Sequence, residues 1–129
     1  MALRYKIIQS YRNTDNGEKE PMWYPQLTGS RKLDLEDVAE ILAGRSTASR
    51  ADVHLVVAGL TELIPELLKD GNTVHLGGLG SFRLEARATP SDAPEKVTAR
   101  NIRELRATFV SGKTMKKELK NARVEKERR

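Results

Sequence analysis

The chain has 129 residues, 38% hydrophobic and 32% charged, a length that fits one domain with an appendage. The apolar share is below the about 45–50% usual for a self-sufficient globule on a count that includes glycine, though not low enough to force disorder. Basic residues number 23 and acidic residues 18, a net charge of +5; there is no cysteine, so disulfides, thiol nucleophiles and thiolate metal sites are excluded.

Residues 4–11 alternate imperfectly and predict a strand, followed by a polar loop over 12–20 around the turn signal Asp15-Asn16-Gly17. Residues 22–27 predict a second strand, which Pro25 confines to an edge or a bulge. The first 32 residues therefore form a β-hairpin extension with a long loop. Asp34 is the expected N-cap of a helix over Leu35–Ala43, with Leu35, Val38, Ala39 and Leu42 on one stripe and Gly44 as the stop. Ser49 caps a second helix to about Asp70, with Asp52 placed for a capping-box variant. Val53, Val57, Leu60, Ile64 and Leu67 form its stripe, and Leu55, Val56, Leu63 and Leu68 widen it. A helix apolar over so much of its girth is covered on more than one side, and a second subunit supplies that cover economically. Pro65 removes one helical hydrogen bond near the end.

Period two then takes over. Thr73–Leu76 predicts a short strand, and Gly77-Gly78-Leu79-Gly80 a tight turn. Phe82, Leu84 and Ala86 alternate with Arg83, Glu85 and Arg87 in a half-buried antiparallel strand. Residues 88–98 hold two prolines and form an exposed loop or arm tip; residues 99–110 return as a strand. A last helix runs from about Lys113 to Arg123, and the charged tail 124–129 frays.

Few residues offer catalytic chemistry. Gly112-Lys113-Thr114 before a helix lacks the upstream glycine of a P-loop, since Ala107 stands there. Gly77–Gly80 lacks the spacing and setting of a dinucleotide cradle and reads as a hairpin turn, although its backbone N–H groups could meet a phosphate. His54 and His75 stand apart from any ligand cluster, and no nucleophile–base arrangement is present. The expectation is a non-enzymatic protein without metal, cofactor or small-molecule substrate. The start Met-Ala-Leu-Arg-Tyr-Lys carries charge where a signal peptide is apolar, and Leu55–Leu60 is the longest apolar stretch, so the expected location is cytoplasmic.

Residues 1–82 hold 9 basic and 11 acidic residues, whereas residues 83–129 hold 14 and 7. Such asymmetry points to a polyanionic partner. Arg83 and Arg87 share one strand face; Arg100 and Arg106 share the equivalent parity of the return strand, with Arg103 on the other. Lys113, Lys116, Lys117 and Lys120 recur at helical spacing. This basic region exposes no aromatics, so stacking on single strands is not expected and duplex backbone binding is.

The order helix, helix, three strands with an arm, helix over Asp34–Arg123 resembles the bacterial histone-like HU and integration host factor family. Gly78-Leu79-Gly80-Ser81-Phe82 is similar to that family's Gly-Phe-Gly-Thr-Phe turn, and Phe109-Val110-Ser111-Gly112-Lys113 to its Phe-x-Pro-Gly-Lys junction. The N-terminal segment resembles the extension of an HU-related subfamily. The resemblance implies an α+β fold and an intertwined homodimer. Its body, residues 33–123, would hold two N-terminal helices, a three-stranded antiparallel sheet with a β-arm at about 85–105, and a C-terminal helix.

It also implies histone-like, architectural, nucleoid-associated binding of double-stranded DNA, largely sequence-tolerant, without a membrane partner. Gly80 and Ser81 would lie near phosphate, with Arg83, Arg87, Lys96, Arg100, Arg103 and Arg106 along the arm and Lys113, Lys116, Lys117 and Lys120 on the last helix. Two departures stand out: the tip Thr89–Glu95 is acidic and lacks the family's Arg-Asn-Pro, and Ser111 replaces the junction proline. The acidic tip and the extra N-terminal hairpin motivate the alternative, an HU-derived protein-interaction module with weak or lost DNA binding.

Overall fold

A computed structural model describes residues 2–128 as two compact units. One comprises Met1–Lys32 with Glu118–Arg129, the other Leu33–Lys117.

The first unit is a three-stranded sheet. Strands β1 (Leu3–Asn13) and β2 (Lys19–Thr28) pair antiparallel with Gln9 opposite Trp23 and Arg12 opposite Glu20. The connecting loop is shorter than the sequence predicts, because the strands run on past residues 12 and 20. Thr14 and Glu18 close the turn, the Thr14 N–H donating to the Glu18 carbonyl at 2.8 Å, and Arg12 pairs with Glu20 at 3.1 Å. The acid–base pair makes polar sequence compatible with strand.

The third strand corrects the expectation of a frayed tail. The segment Val124–Lys126 is strand β6, parallel to β1, with Leu3 opposite Val124 and Tyr5 opposite Lys126. Backbone bonds from Leu3 N to Arg123 O and from Glu127 N to Tyr5 O, both 2.7 Å, secure it. The sheet order β2-β1-β6 leaves β2 at an edge, where its prolines are tolerated.

The second unit begins with α1 (Leu35–Gly44) and α2 (Arg50–Lys69). The reciprocal capping box sits on α1: Asp34 accepts from the Asp37 N–H at 2.9 Å, and Asp37 accepts from the Asp34 N–H at 3.0 Å. At α2 only the forward bond is present, the Asp52 N–H donating to Ser49 Oγ at 3.1 Å. Glu36 ties the helices together, taking Arg50 at 2.9 Å with His54 at 3.6 Å. α2 continues through Pro65 to Lys69.

Strands β3 (Val74–His75), β4 (Gly80–Ala88) and β5 (Ile102–Ser111) form an antiparallel sheet in that order. Phe82 faces Phe109 across the β4–β5 pair, their rings 5.0 Å apart. The last helix, α3, spans Lys113–Lys120 and stops short of the expected Arg123.

Only Ala39 and Leu68 are buried hydrophobic residues among the described residues. Leu55 and Val56 on α2 are 71% and 65% exposed. An apolar groove of about 630 Å³ runs beside α2 and β4, lined in part by Val57, Leu60, Ile64, Leu68, Phe82 and Leu84. The stripe read from the sequence is half-buried within one chain, and Leu55, Val56 and Leu63, which widen it, are exposed. No described helix is long and apolar enough to cross a membrane.

Candidate nucleic-acid interface

The β3–β4 turn and the start of α3 are locked together by backbone contact. Gly80 has φ +147°, and a Cβ there would strike the Val110 carbonyl and the Phe109 ring. At Gly112 a Cβ would strike the Gly78 carbonyl. Glycine at both positions lets the turn and the strand–helix junction touch. The Gly112 N–H donates to the Leu79 carbonyl at 3.0 Å and the Met115 N–H to the Gly78 carbonyl at 3.2 Å.

This junction frames a cleft of about 390 Å³ bordered by His75, Gly77, Ser81, Ser111, Lys113 and Lys116. Gly80 is itself buried, its carbonyl taken by the Leu76 N–H at 2.8 Å. Ser81 is half-buried, and its hydroxyl lies 2.7 Å from His75 Nδ1. Lys113, Lys116 and Lys117 are exposed, and none forms an ion pair among the described residues. Lys120 ends the same helix and falls within the first unit.

The arm is differently built. Pairing places Arg83, Glu85 and Arg87 on one face of β4, opposite Thr108, Arg106 and Glu104 of β5. The arginines alternate with acids: Arg83 lies 3.4 Å from Glu85, and Arg87 3.9 Å from Glu104. Both pairs are more than half exposed and offset little stability, but they compensate the charge of this face.

The sequence reading of the return strand needs correction in two places. Residues Ala99–Asn101 form a 3-10 turn, so Arg100 does not share a strand face with Arg106. A register shift opposite Arg87 and Ala88 leaves Arg103 between the paired residues Ile102 and Glu104, so simple parity does not place it either. The cause is Asn101. Its side-chain amide donates to the Thr89 carbonyl at 2.8 Å and to Ser91 Oγ at 2.9 Å, while its Oδ1 accepts from the Thr98 N–H at 2.8 Å. These bonds tie the tip down in place of a regular ladder. Lys96, on a second 3-10 turn, is paired with Asp92 at 3.1 Å.

Charge also divides unexpectedly. The second unit holds twelve basic and twelve acidic residues, a net of zero, whereas the first holds eleven and six, a net of +5. Of the excess of seven basic charges at the end of the sequence, five lie in residues 83–117 and are cancelled by a net of −5 over residues 33–82 of the same unit, while residues 118–129 bring +2 to the N-terminal sheet. Exposed aromatics lie there too, outside the basic last third of the sequence: Trp23 is 63% exposed and Tyr11 61%. The signal available was the parity that places Tyr5, Ile7 and Tyr11 on one side of their strand. No cluster of His, Asp or Glu among the described residues could hold a metal ion.

Comparison with known proteins bears on the whole of this arrangement. The family model for an HU domain fused to a wHTH, Ig or glycine-rich motif, HU-HIG, matches residues 1–126. The DNA-binding protein HU-alpha of Serratia marcescens is 31% identical over 94 residues, which cover 68% of this chain and 100% of that protein. HU-alpha of Salmonella typhi is 30% identical over the same shares.

Among solved structures, a Bacteroides vulgatus protein described as a bacterial DNA-binding protein aligns with a TM-score of 0.69 at 20% identity, over 97% of this chain. This chain spans 48% of that protein's length. An Anabaena HU solved with DNA aligns with a TM-score of 0.54 at 20% identity, over 69% of this chain and 99% of its own. At those identities the two structures speak for the fold.

Proposed function

The chain belongs to the family of HU domains fused to a wHTH, Ig or glycine-rich motif, and from that premise we propose that it binds duplex DNA as a homodimeric, nucleoid-associated architectural protein. The observation that carries the reading is the exposed, unpaired set Lys113, Lys116 and Lys117 beside the glycine-locked cleft, in a chain whose relative is the DNA-binding protein HU-alpha. Cations without an acidic partner neutralise phosphates and release counterions, which supplies sequence-independent affinity. Arg100, Arg103 and Arg106 add charge along the arm. Arg83 and Arg87 contribute less, because each must first leave its glutamate. Sequence preference then comes from DNA deformability.

The dimer rests on burial. A unit with two buried hydrophobic residues and an open groove beside α2 lacks a core, and a second copy that fills the groove provides one. The charge balance of the second unit favours a second reading, in which the fold is kept and its duplex binding is weak. One titration separates the two: fluorescence anisotropy of a random ~30-bp duplex at several salt concentrations. A linear fall of log affinity with log salt, with a slope of several units, supports the first reading. Absence of binding at low salt overturns it.

A further inference from the structure

The face of the N-terminal sheet is an independent candidate for ligand binding. Strand register places Leu3, Tyr5, Ile7 and Tyr11 of β1, Trp23 and Leu27 of β2 and Val124 and Lys126 of β6 on one side. Trp23 and Tyr11 are diagonal neighbours across the β1–β2 pair, close enough for adjacent aromatic contacts. Trp23 and Ile7 also wall a cleft of about 910 Å³ whose other lining residues are Lys6, Lys126, Glu127 and Arg128. The unit around it has a net charge of +5.

We infer that this face binds single-stranded nucleic acid, with unpaired bases stacking on Trp23 and Tyr11 and phosphates held by Lys126 and Arg128. Indole and phenol faces accept any base, and flanking cations track the backbone, which is the chemistry of sequence-tolerant single-strand recognition. The positive charge selects a polyanion over an uncharged apolar partner. The sheet edges are poor templates for strand addition: β2 carries Pro21 and Pro25, which have no N–H to donate, and β6 is three residues long. None of its residues is among the duplex-binding residues of the preceding subsection, so either assignment can fail alone.

Trp23 is the only tryptophan, so its emission reports on the site directly. The full chain is titrated with a labelled oligothymidylate of about 15 nucleotides, following anisotropy and tryptophan emission together, with a duplex of equal length in parallel. Saturable binding with quenching is expected. Trp23→Leu should weaken oligothymidylate binding about tenfold, the equivalent of one lost stacked base, without changing duplex affinity. Trp23→Phe should restore most of the loss.

If Trp23→Leu fails to fold, Lys126→Glu with Arg128→Glu provides the second test and should weaken the same binding. The inference is overturned by absence of binding at low salt. It is also overturned by binding that the folded Trp23→Leu variant or the charge-reversal pair leaves intact. Emission that shifts with protein concentration but not with oligonucleotide would identify a protein interface instead, and overturn it too.

Discussion

The two units differ in how charge and apolar surface are distributed. In the Leu33–Lys117 unit, positive and negative residues balance and the unfilled apolar surface lies in a groove beside α2. In the sheet unit, basic residues outnumber acidic ones and the exposed apolar surface includes the aromatics Tyr11, Trp23 and Tyr24. The first combination suits packing against another copy, after which local clusters such as the α3 lysines must supply any affinity for DNA. The second suits a charged polymer with flat, apolar bases. Net charge over a stretch of sequence and net charge over a folded unit are different quantities, because the basic residues 83–117 fold into one unit with the acidic residues 33–82.

The largest expected effect breaks the dimer side of that comparison. Ile64 is half-buried on α2 and lines the groove. Ile64→Asp would place a carboxylate where a second copy packs, at a cost on the order of several kcal/mol. Light scattering should show loss of the dimer, and far-UV circular dichroism a lower, broader melt. A variant that remains a dimer with an unchanged melt would remove the groove from the interface.

The next effect separates α3 from the arm. Replacing Lys113, Lys116 and Lys117 together by Gln should reduce the magnitude of the log–log salt slope for a duplex by about 2.7, at about 0.9 per phosphate contact. The triple variant Arg83→Ala, Arg87→Ala, Arg106→Ala should change the slope less, because Arg83 and Arg87 already have carboxylate partners. The reverse ranking in the same titration would return the main contact to the arm.

A smaller effect tests the compensation itself. Glu85→Gln with Glu104→Gln frees Arg83 and Arg87 from their carboxylates. Duplex affinity should rise by up to about 1 kcal/mol, since exposed ion pairs are worth no more than that. Unchanged affinity would mean that this face does not meet DNA.

Most of the body was legible because its signals are local. Asp34 and Ser49 mark helix starts by a mechanism that needs no partner, and both cap as read. The alternation of Phe82, Leu84 and Ala86 fixed the facing of β4, which the Phe82–Phe109 contact shares. The failures were non-local. Val124–Lys126 is polar enough to read as tail and becomes a strand only through Leu3 and Tyr5, more than a hundred positions away. Arg100 and Arg103 were placed by counting parity through a segment where Asn101 imposes a 3-10 turn and a register shift. Pairing of basic side chains with Glu85, Glu104 and Asp92 was likewise invisible to charge counts along the chain.

The smallest expected effect is a pH dependence in the body that has one defined source. Asp34 has its pKa held below the ordinary value of 3.8, first because its carboxylate accepts the Asp37 backbone N–H, with desolvation opposing and further hydrogen bonds assisting. A folded-state pKa below the unfolded one means that folding favours the ionised form. The stabilisation is therefore complete above the ordinary aspartate range and is lost as pH falls from about 3.8 through the lower folded value. Asn caps as well as Asp but does not titrate there. Thermal melts from pH 7 to pH 2 should show wild type losing more stability than Asp34→Asn, with the difference developing at and below pH 3.8. Parallel acid profiles would mean that the carboxylate's charge does not contribute to the cap. An excess loss confined to the wild type would assign that part of the body's acid sensitivity to the first turn of α1.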